Sequence, residues 1–345
     1  MTRPLFRDYP ELEAVVPHRA LAELPTPVES MGLADPAWIK RDDLTHPVYG
    51  GNKIRKLEFI IADALQKGKQ HIITFGATGT NHGVATALMC REAGLGCTVL
   101  LFDQPVTATV RRNLRLMQAL GACLEYKRTL ARTVASFYLH PARLRRDRYF
   151  LFAGGSSVEG TLGFVNAALE LRDQIDAGDM PVPERIVCPV GSSATLAGLT
   201  IGCALAGLST RVDGVRVAPS HLGPFPACTP ATAGKLMQQT LKFLDRHLKH
   251  RRPAVPEPIL HDDYFGAGYG QVTSEGQQAI EQFAEHGLKL EPTYTGKAAA
   301  AFLDALGETN GPVLFWNTYN SRDTTELEEK ADPTQLSAPL RGLLE

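Results

Sequence analysis

Short apolar runs alternate with longer stretches that carry apolar residues on one face along most of the chain. Runs with strand character occur at IITFGA from Ile72, CTVLLF from Cys97, CLEY from Cys123 and YFLFAGG from Tyr149. Between them, residues 84–93 and 107–120 place apolar positions at helical spacing, with Gly94 and Gly121 as stops. Strands separated by helices of that length predict parallel βαβ units. A second set follows at RIVCPV from Arg185, VDGVRVAP from Val212 and PVLFWNT from Pro312, interleaved with helices predicted near 161–177, 194–206, 274–286 and 296–306. The expected architecture is α/β, two open twisted parallel sheets without a sequence repeat.

One helix poses a chemical question. After YGGNKIRKLEF, which begins at Tyr49, residues Leu57, Ile60, Ile61, Ala64 and Leu65 mark one helical face that stops near Gly68. Extended back by one turn, this face reaches Lys53. An ammonium pointed at a core is costly, so Lys53 is expected to be paired, neutralised or covalently occupied.

With 345 residues, 44% of them hydrophobic, the chain can bury two cores, and two domains are expected. Acids and bases nearly cancel to a net charge of -1, which argues against a nucleic-acid or membrane-surface partner held by bulk electrostatics and favours a small-molecule ligand. Basic runs at 143–148 and 242–252 read as solvated faces. The opening MTRPLFRDYPELEA lacks an apolar signal core and no apolar window is long enough to span a bilayer, so a cytoplasmic location is expected. The six cysteines have neither metal-site pairing nor the density of a disulfide scaffold. No metal is expected, and Cys97, Cys123 and Cys188, in strand-like runs, are expected to be buried thiols.

Three turns carry candidate chemistry. In the first, Gly50 and Gly51 permit tight backbone approach ahead of Lys53, and Asn52 can hold a neighbouring polar group. In the second, FGATGTNHG, a strand ends in a turn bearing Thr80, Asn81 and His82 before a helix, whose free N–H groups suit a carboxylate; simple capping by Thr80 or Asn81 is the alternative. The third, VGSSATLAG, again follows a strand and opens a helix of small residues, so its N–H groups suit a phosphate, although it has neither the P-loop lysine nor the dinucleotide glycine spacing. An activated lysine, a carboxylate turn and a phosphate turn on α/β layers together match pyridoxal 5'-phosphate.

At these residues the sequence resembles the D-cysteine desulfhydrase and 1-aminocyclopropane-1-carboxylate (ACC) deaminase family, among the fold-type II pyridoxal-phosphate enzymes with a tryptophan synthase beta-like fold. The likeness runs through LPTPVE from Leu24, WIKRDDL from Trp38, GGNKIRKLEF from Gly50, GTNHG, GGSSVEGTLGFV from Gly154, GSSATLAGL, GAGYG from Gly266, EPTYTGKA from Glu291 and VLFWNT. It implies a large cofactor domain from residues 1–55 and 165–345, a small domain from 56–164, and a homodimer acting on a small amino acid. Lys53 resembles the lysine that carries the cofactor, beside Asn52, and Asn81 resembles the residue that bonds the ring hydroxyl. Gly191, Ser192, Ser193, Ala194 and Thr195 resemble the phosphate loop, with Ser193 and Ala194 where the family usually has two glycines. Thr80 stands at the serine that contacts the substrate carboxylate, next to Asn81 and His82. Tyr294 and Tyr269 resemble the two active-site tyrosines, and Thr318 the neutral hydroxyl partner of the pyridine nitrogen.

Departures bear on substrate. ACC deaminases carry a glutamate after the tyrosine where this chain has Thr295, which resembles the desulfhydrase branch. Gly79 replaces the usual glutamine, while Asn317, Thr318, Tyr319 and Asn320 stand where the family has a histidine, a threonine and two glycines. The resemblance implies β-elimination from a small β-substituted amino acid, most simply D-cysteine to pyruvate, ammonia and sulfide. Alternatives are L-cysteate desulfonation, ACC ring opening, or a cofactor-binding protein without appreciable catalysis.

Overall fold

The computed structural model describes residues 2–32, 36–222 and 225–345. A short α1 (Pro4–Asp8) leads into the antiparallel pair β1 (Val28–Ser30) and β2 (Ala37–Lys40), then α2 (Lys53–Gln66). A first run of βα units comprises β3 (His71–Ala77), α3 (Asn81–Ala93), β4 (Gly96–Phe102), α4 (Ala108–Ala119), β5 (Cys123–Arg128), α5 (Leu130–Tyr138) and β6 (Arg148–Phe150). The second holds α6 (Val158–Asp176), β7 (Arg185–Val190), α7 (Ala194–Leu205), β8 (Arg211–Arg216), the ribbon β9 (His221–Leu222) and β10 (Phe225–Pro226), α8 (Pro230–His247) and β11 (Ile259–His261). It ends with α9 (Ser274–Glu285), α10 (Thr295–Glu308), β12 (Val313–Trp316), α11 (Thr325–Glu328) and α12 (Ala338–Arg341).

Two sheets result. The larger has the order β1-β2-β12-β7-β8-β11, parallel except for β1, and the smaller has the order β5-β4-β3-β6, parallel throughout. Both faces of the larger sheet are covered. Phe283, Phe302 and Phe315 fill the side under α9 and α10, whereas Phe164, Ile186, Leu196 and Trp316 fill the side under α6 and α7. This double covering explains why β7 and β12 read as unbroken apolar runs. The smaller sheet packs on α2 and α3, and its core also takes Leu327, Leu336 and Leu340 from far along the chain.

Cys97 and Cys188 are buried in β4 and β7, but Cys123 is exposed. Its strand, β5, is the edge of the smaller sheet, so CLEY has a neighbour on one side only and its burial is partial. Among the described residues no helix is long and apolar enough to cross a membrane, and no group of side chains has the make-up of a metal site.

A buried polar network joins the larger sheet to α2 and α6. Arg55 donates to Asp42 at 2.7 and 2.8 Å and to both oxygens of Glu170 at 2.9 Å. Lys40 donates to Glu170 and to the Thr26 carbonyl at 2.7 Å, and Trp316 Nε1 donates to Asp42 at 2.7 Å. All of these side chains are buried. Burial alone would push the Glu170 carboxyl up, yet Arg55 and Lys40 more than reverse this and hold it below the usual carboxylate range.

Removing one partner from such a network strands the others without water. Glu170→Ala is expected to lower unfolding stability by about 3–5 kcal/mol in a urea titration, and a loss within the scatter of surface substitutions would refute this account. Because the folded-state value is depressed, the stability from Glu170 is complete above the unfolded glutamate range near pH ~4.3 and is lost as pH falls below it. Acid unfolding of the wild type should show that slope, and Glu170→Gln should flatten it.

Candidate active site

The three turns issue from strand ends. β2 leads toward the lysine turn, β3 toward Thr80 and β7 toward Gly191, while β12 delivers Asn317 to Asn320 beside them. Parallel sheets place binding loops at this edge because every strand presents its carboxyl end there.

At the lysine turn the backbone has no spare room. A side chain on Gly50 would put its Cβ 1.9 Å from the Asp43 carbonyl, and one on Gly51, at φ 103°, would come within 2.8 Å of the Thr318 carbonyl. The Gly51 N–H donates to the Asp42 carbonyl at 2.8 Å and the Asn52 N–H to the Thr318 carbonyl at 3.2 Å. Lys53 then starts α2. Its Nζ donates to Asn52 Oδ1 at 2.8 Å, and Asn52 Nδ2 donates to Thr195 Oγ1 at 3.1 Å, so one asparagine couples the lysine to the third turn. Burial lowers the Lys53 ammonium to about 8, opposed by the Glu291 carboxylate.

In the second turn Thr80 caps α3, its hydroxyl accepting from the Gly83 N–H at 3.1 Å. Capping and anion binding are therefore compatible here, because the cap uses one N–H of the first turn. Asn81 Oδ1 accepts from Tyr49 Oη at 3.0 Å and from Asn113 Nδ2 at 2.8 Å. Both bonds take the carbonyl oxygen, which leaves the amide N–H groups as donors toward the cleft. His82 is buried, with Nε2 3.0 Å from Thr74 Oγ1 and Nδ1 without a partner among the described residues. Burial, with Lys53 and Lys56 adding to it, holds this imidazole neutral well below its ordinary value.

The third turn opens α7. Ser193 adopts the left-handed conformation at φ 60°, where a side chain costs about 1–2 kcal/mol. Its buried hydroxyl has no partner, and the N–H groups of Ser192, Ser193, Thr195 and Leu196 take no bond among the described residues. Ser192 Oγ and Lys56 Nζ both donate to the Gly154 carbonyl, at 3.1 and 3.3 Å. Lys56 was not singled out by the sequence reading. It is fully buried one helical turn beyond Lys53, and burial, then the nearby Lys53 charge, keep its ammonium well below the ordinary lysine value. The spacing in NKIRK, two lysines on one apolar face, was the signal available.

Tyr269 and Tyr294 come together from separate loops. Their hydroxyls share a hydrogen bond and their rings meet edge to face with centroids 6.0 Å apart. Tyr294 also faces the third turn, since a Cβ on Gly191 would lie 3.9 Å from its ring. Burial pushes Tyr269 up to about 12 and Tyr294 well above its ordinary value, so both are neutral donors.

The replaced glycines have structural occupations. Asn320 Oδ1 accepts from the Gly50 N–H at 2.7 Å and from the Arg322 N–H at 3.1 Å, pinning the lysine turn. Tyr319 is buried, and its hydroxyl accepts from Arg112 of α4. Thr318 offers a hydroxyl that no partner takes among the described residues, and the Gly79 N–H donates to Gln104 Oε1 at 3.2 Å, close to where the missing glutamine side chain would stand. Thr295 is enclosed, its Oγ1 accepting from the Glu291 N–H at 2.9 Å.

A family model described as "Pyridoxal-phosphate dependent enzyme" matches residues 20–318. Among solved structures, an "ACC deaminase homologue" is similar at 29% identity with a TM-score of 0.76, covering 96% of this chain and 100% of that one. Threonine deaminase isoform 2 from Solanum lycopersicum, in its processed form, shares the fold at 14% identity and a TM-score of 0.63, covering 96% of this chain and 93% of that one. A threonine deaminase from T.th. does so at 18% identity and a TM-score of 0.60, with 93% and 98% covered.

A lysine in this setting should titrate unlike the others. In cofactor-free protein, acylation of Lys53 followed across pH by peptide mass spectrometry should show a midpoint near 8, against about 10.4 for exposed lysines. A midpoint shared with the surface lysines would contradict the geometry.

Proposed function

This chain belongs to the pyridoxal-phosphate dependent enzymes, and from that premise we propose that it eliminates the β-substituent of a small amino acid, D-cysteine being the simplest case. With one water, D-cysteine gives pyruvate, ammonia and hydrogen sulfide. The same reading takes the enzyme as a cytoplasmic homodimer, with residues 56–164 as the smaller of two domains.

The cofactor of the family fits the residues present. A phosphate suits the four N–H groups and the Ser193 hydroxyl at the start of α7 that have no partner among the described residues, with Thr195 alongside, and Lys56 adds a cation once an anion is near. Lys53 would hold the aldehyde carbon, Asn81 the ring hydroxyl and Thr318 the ring nitrogen. When bound, pyridoxal phosphate supplies an electrophilic carbon for the substrate amine and a ring that accepts electrons from Cα.

The chain's own groups account for the remainder. Lys53, with an amine deprotonated in a useful fraction near neutrality, takes the proton from Cα and can return it. Thr80 and the first N–H groups of α3 hold the substrate carboxylate. Tyr294, neutral and tied to Tyr269, donates toward the departing β-group, which leaves with its bonding electron pair. Lys53, coupled through Asn52 to the anion turn, is the observation that carries this reading.

A second reading rests on Arg112. Its guanidinium meets Tyr319 and no carboxylate among the described residues, which favours a substrate with an acidic leaving group, as in L-cysteate desulfonation. The likeness to an ACC deaminase homologue keeps ring opening in view. Thr295, sealed against Glu291, offers no carboxylate for it.

Cofactor-loaded protein should release pyruvate and sulfide from D-cysteine faster than from L-cysteine, and Lys53→Ala should reduce turnover at least about a thousandfold. Sulfite from L-cysteate, or α-ketobutyrate from ACC, in place of sulfide would move the assignment to that leaving group.

A further inference from the structure

Glu291 is buried and has no role in the chemistry above. Its Oε1 accepts from the Tyr294 N–H at 2.7 Å and the Thr295 N–H at 2.9 Å, and its Oε2 from the Thr293 N–H at 2.9 Å. The loop closes on itself as the Glu291 N–H donates to Thr295 Oγ1 at 2.9 Å and the Gly296 N–H to the Glu291 carbonyl at 2.8 Å. Resting on the cofactor-enzyme reading, we propose that Glu291 is a positioning residue: its carboxylate, closed on three successive backbone N–H groups, fixes Tyr294 beside the Gly191 turn.

The arrangement follows from a conflict at the start of α10. A helix N-cap ordinarily supplies a short oxygen-bearing side chain to the first free N–H groups. Here the N-cap residue is Tyr294, whose rigid ring carries its hydroxyl away from the backbone to Tyr269, so it gives no such bond. Glu291 reaches back from before the helix and takes over the cap. Burial pushes its carboxyl up, while the three N–H groups closed on its oxygens pull the other way.

Lys297 donates to the carbonyls of Phe265 and Gly268 at 2.6 and 3.2 Å, steadying the loop that carries Tyr269. Both tyrosines are thus held by charged residues at the head of one helix.

Glu291→Asp keeps the acid and draws its oxygens back from the three N–H groups. Pyridoxal phosphate, measured by fluorescence titration, should then bind about tenfold more weakly, because the Tyr294 ring no longer packs beside the Gly191 turn. That weakening should be largely absent when the ring has already been removed in Tyr294→Ala. Wild-type binding by a folded Glu291→Asp protein, or additive effects of Glu291→Asp and Tyr294→Ala, overturn the positioning role. Should Glu291→Asp fail to fold, Glu291→Gln, which keeps one acceptor, takes its place in the same cycle. None of these readouts depends on which amino acid is consumed, so a failure to process D-cysteine would count against the elimination reading alone.

Discussion

The fully buried guanidinium of Arg55 is the constraint from which the cleft is built. Two carboxylates, Asp42 and Glu170, meet it, and Lys40 and Trp316 complete their valences. Those partners come from β2, the turn after it, α6 and β12, so the beginning of α2 is fixed relative to the larger sheet. Lys53 lies two residues before Arg55. A reactive side chain on so rigid a base needs no reordering before it acts, which is the usual requirement for catalytic groups.

Around that base the cleft works by withholding charge. Lys53, Lys56 and His82 all have their protonated forms disfavoured by burial, and Tyr269 and Tyr294 have their ionised forms disfavoured by the same cause. Its amines hold their protons less firmly than surface lysines do until a ligand arrives. An anionic ligand would find two amines whose proton affinity rises as it enters, so binding and protonation reinforce each other.

Much of this was legible in the sequence because it lies in periodic patterns. The apolar runs of β3, β4, β7 and β12 and the helices α3, α4, α6, α7, α9 and α10 were readable from spacing and from the breaks between them. The helices α5 and α8 were not read, although apolar positions recur on one face of each, and the three-residue strands β1 and β11 are too short to show a period. At the site, the three turns announced themselves as glycine-flanked breaks after strands. The long-range pairings did not. That Asp42 and Arg55 share a network with Glu170, or that Asn320 pins the turn at Gly50, depends on contacts across more than a hundred residues that local pattern cannot encode. Cys123 illustrates the converse, since its strand was read correctly and its burial depended on being at an edge.

The packing of Leu327, Leu336 and Leu340 against the smaller sheet has a consequence for biosynthesis. The strands of that sheet are all translated by Phe150, yet its apolar face is covered in part by residues made far later. During vectorial synthesis, at roughly 5–20 residues per second, the nascent layer spends about ten seconds or more with part of its core bare while the larger sheet is still emerging from the ribosome. Through that interval the bare face is open to self-association or to a chaperone.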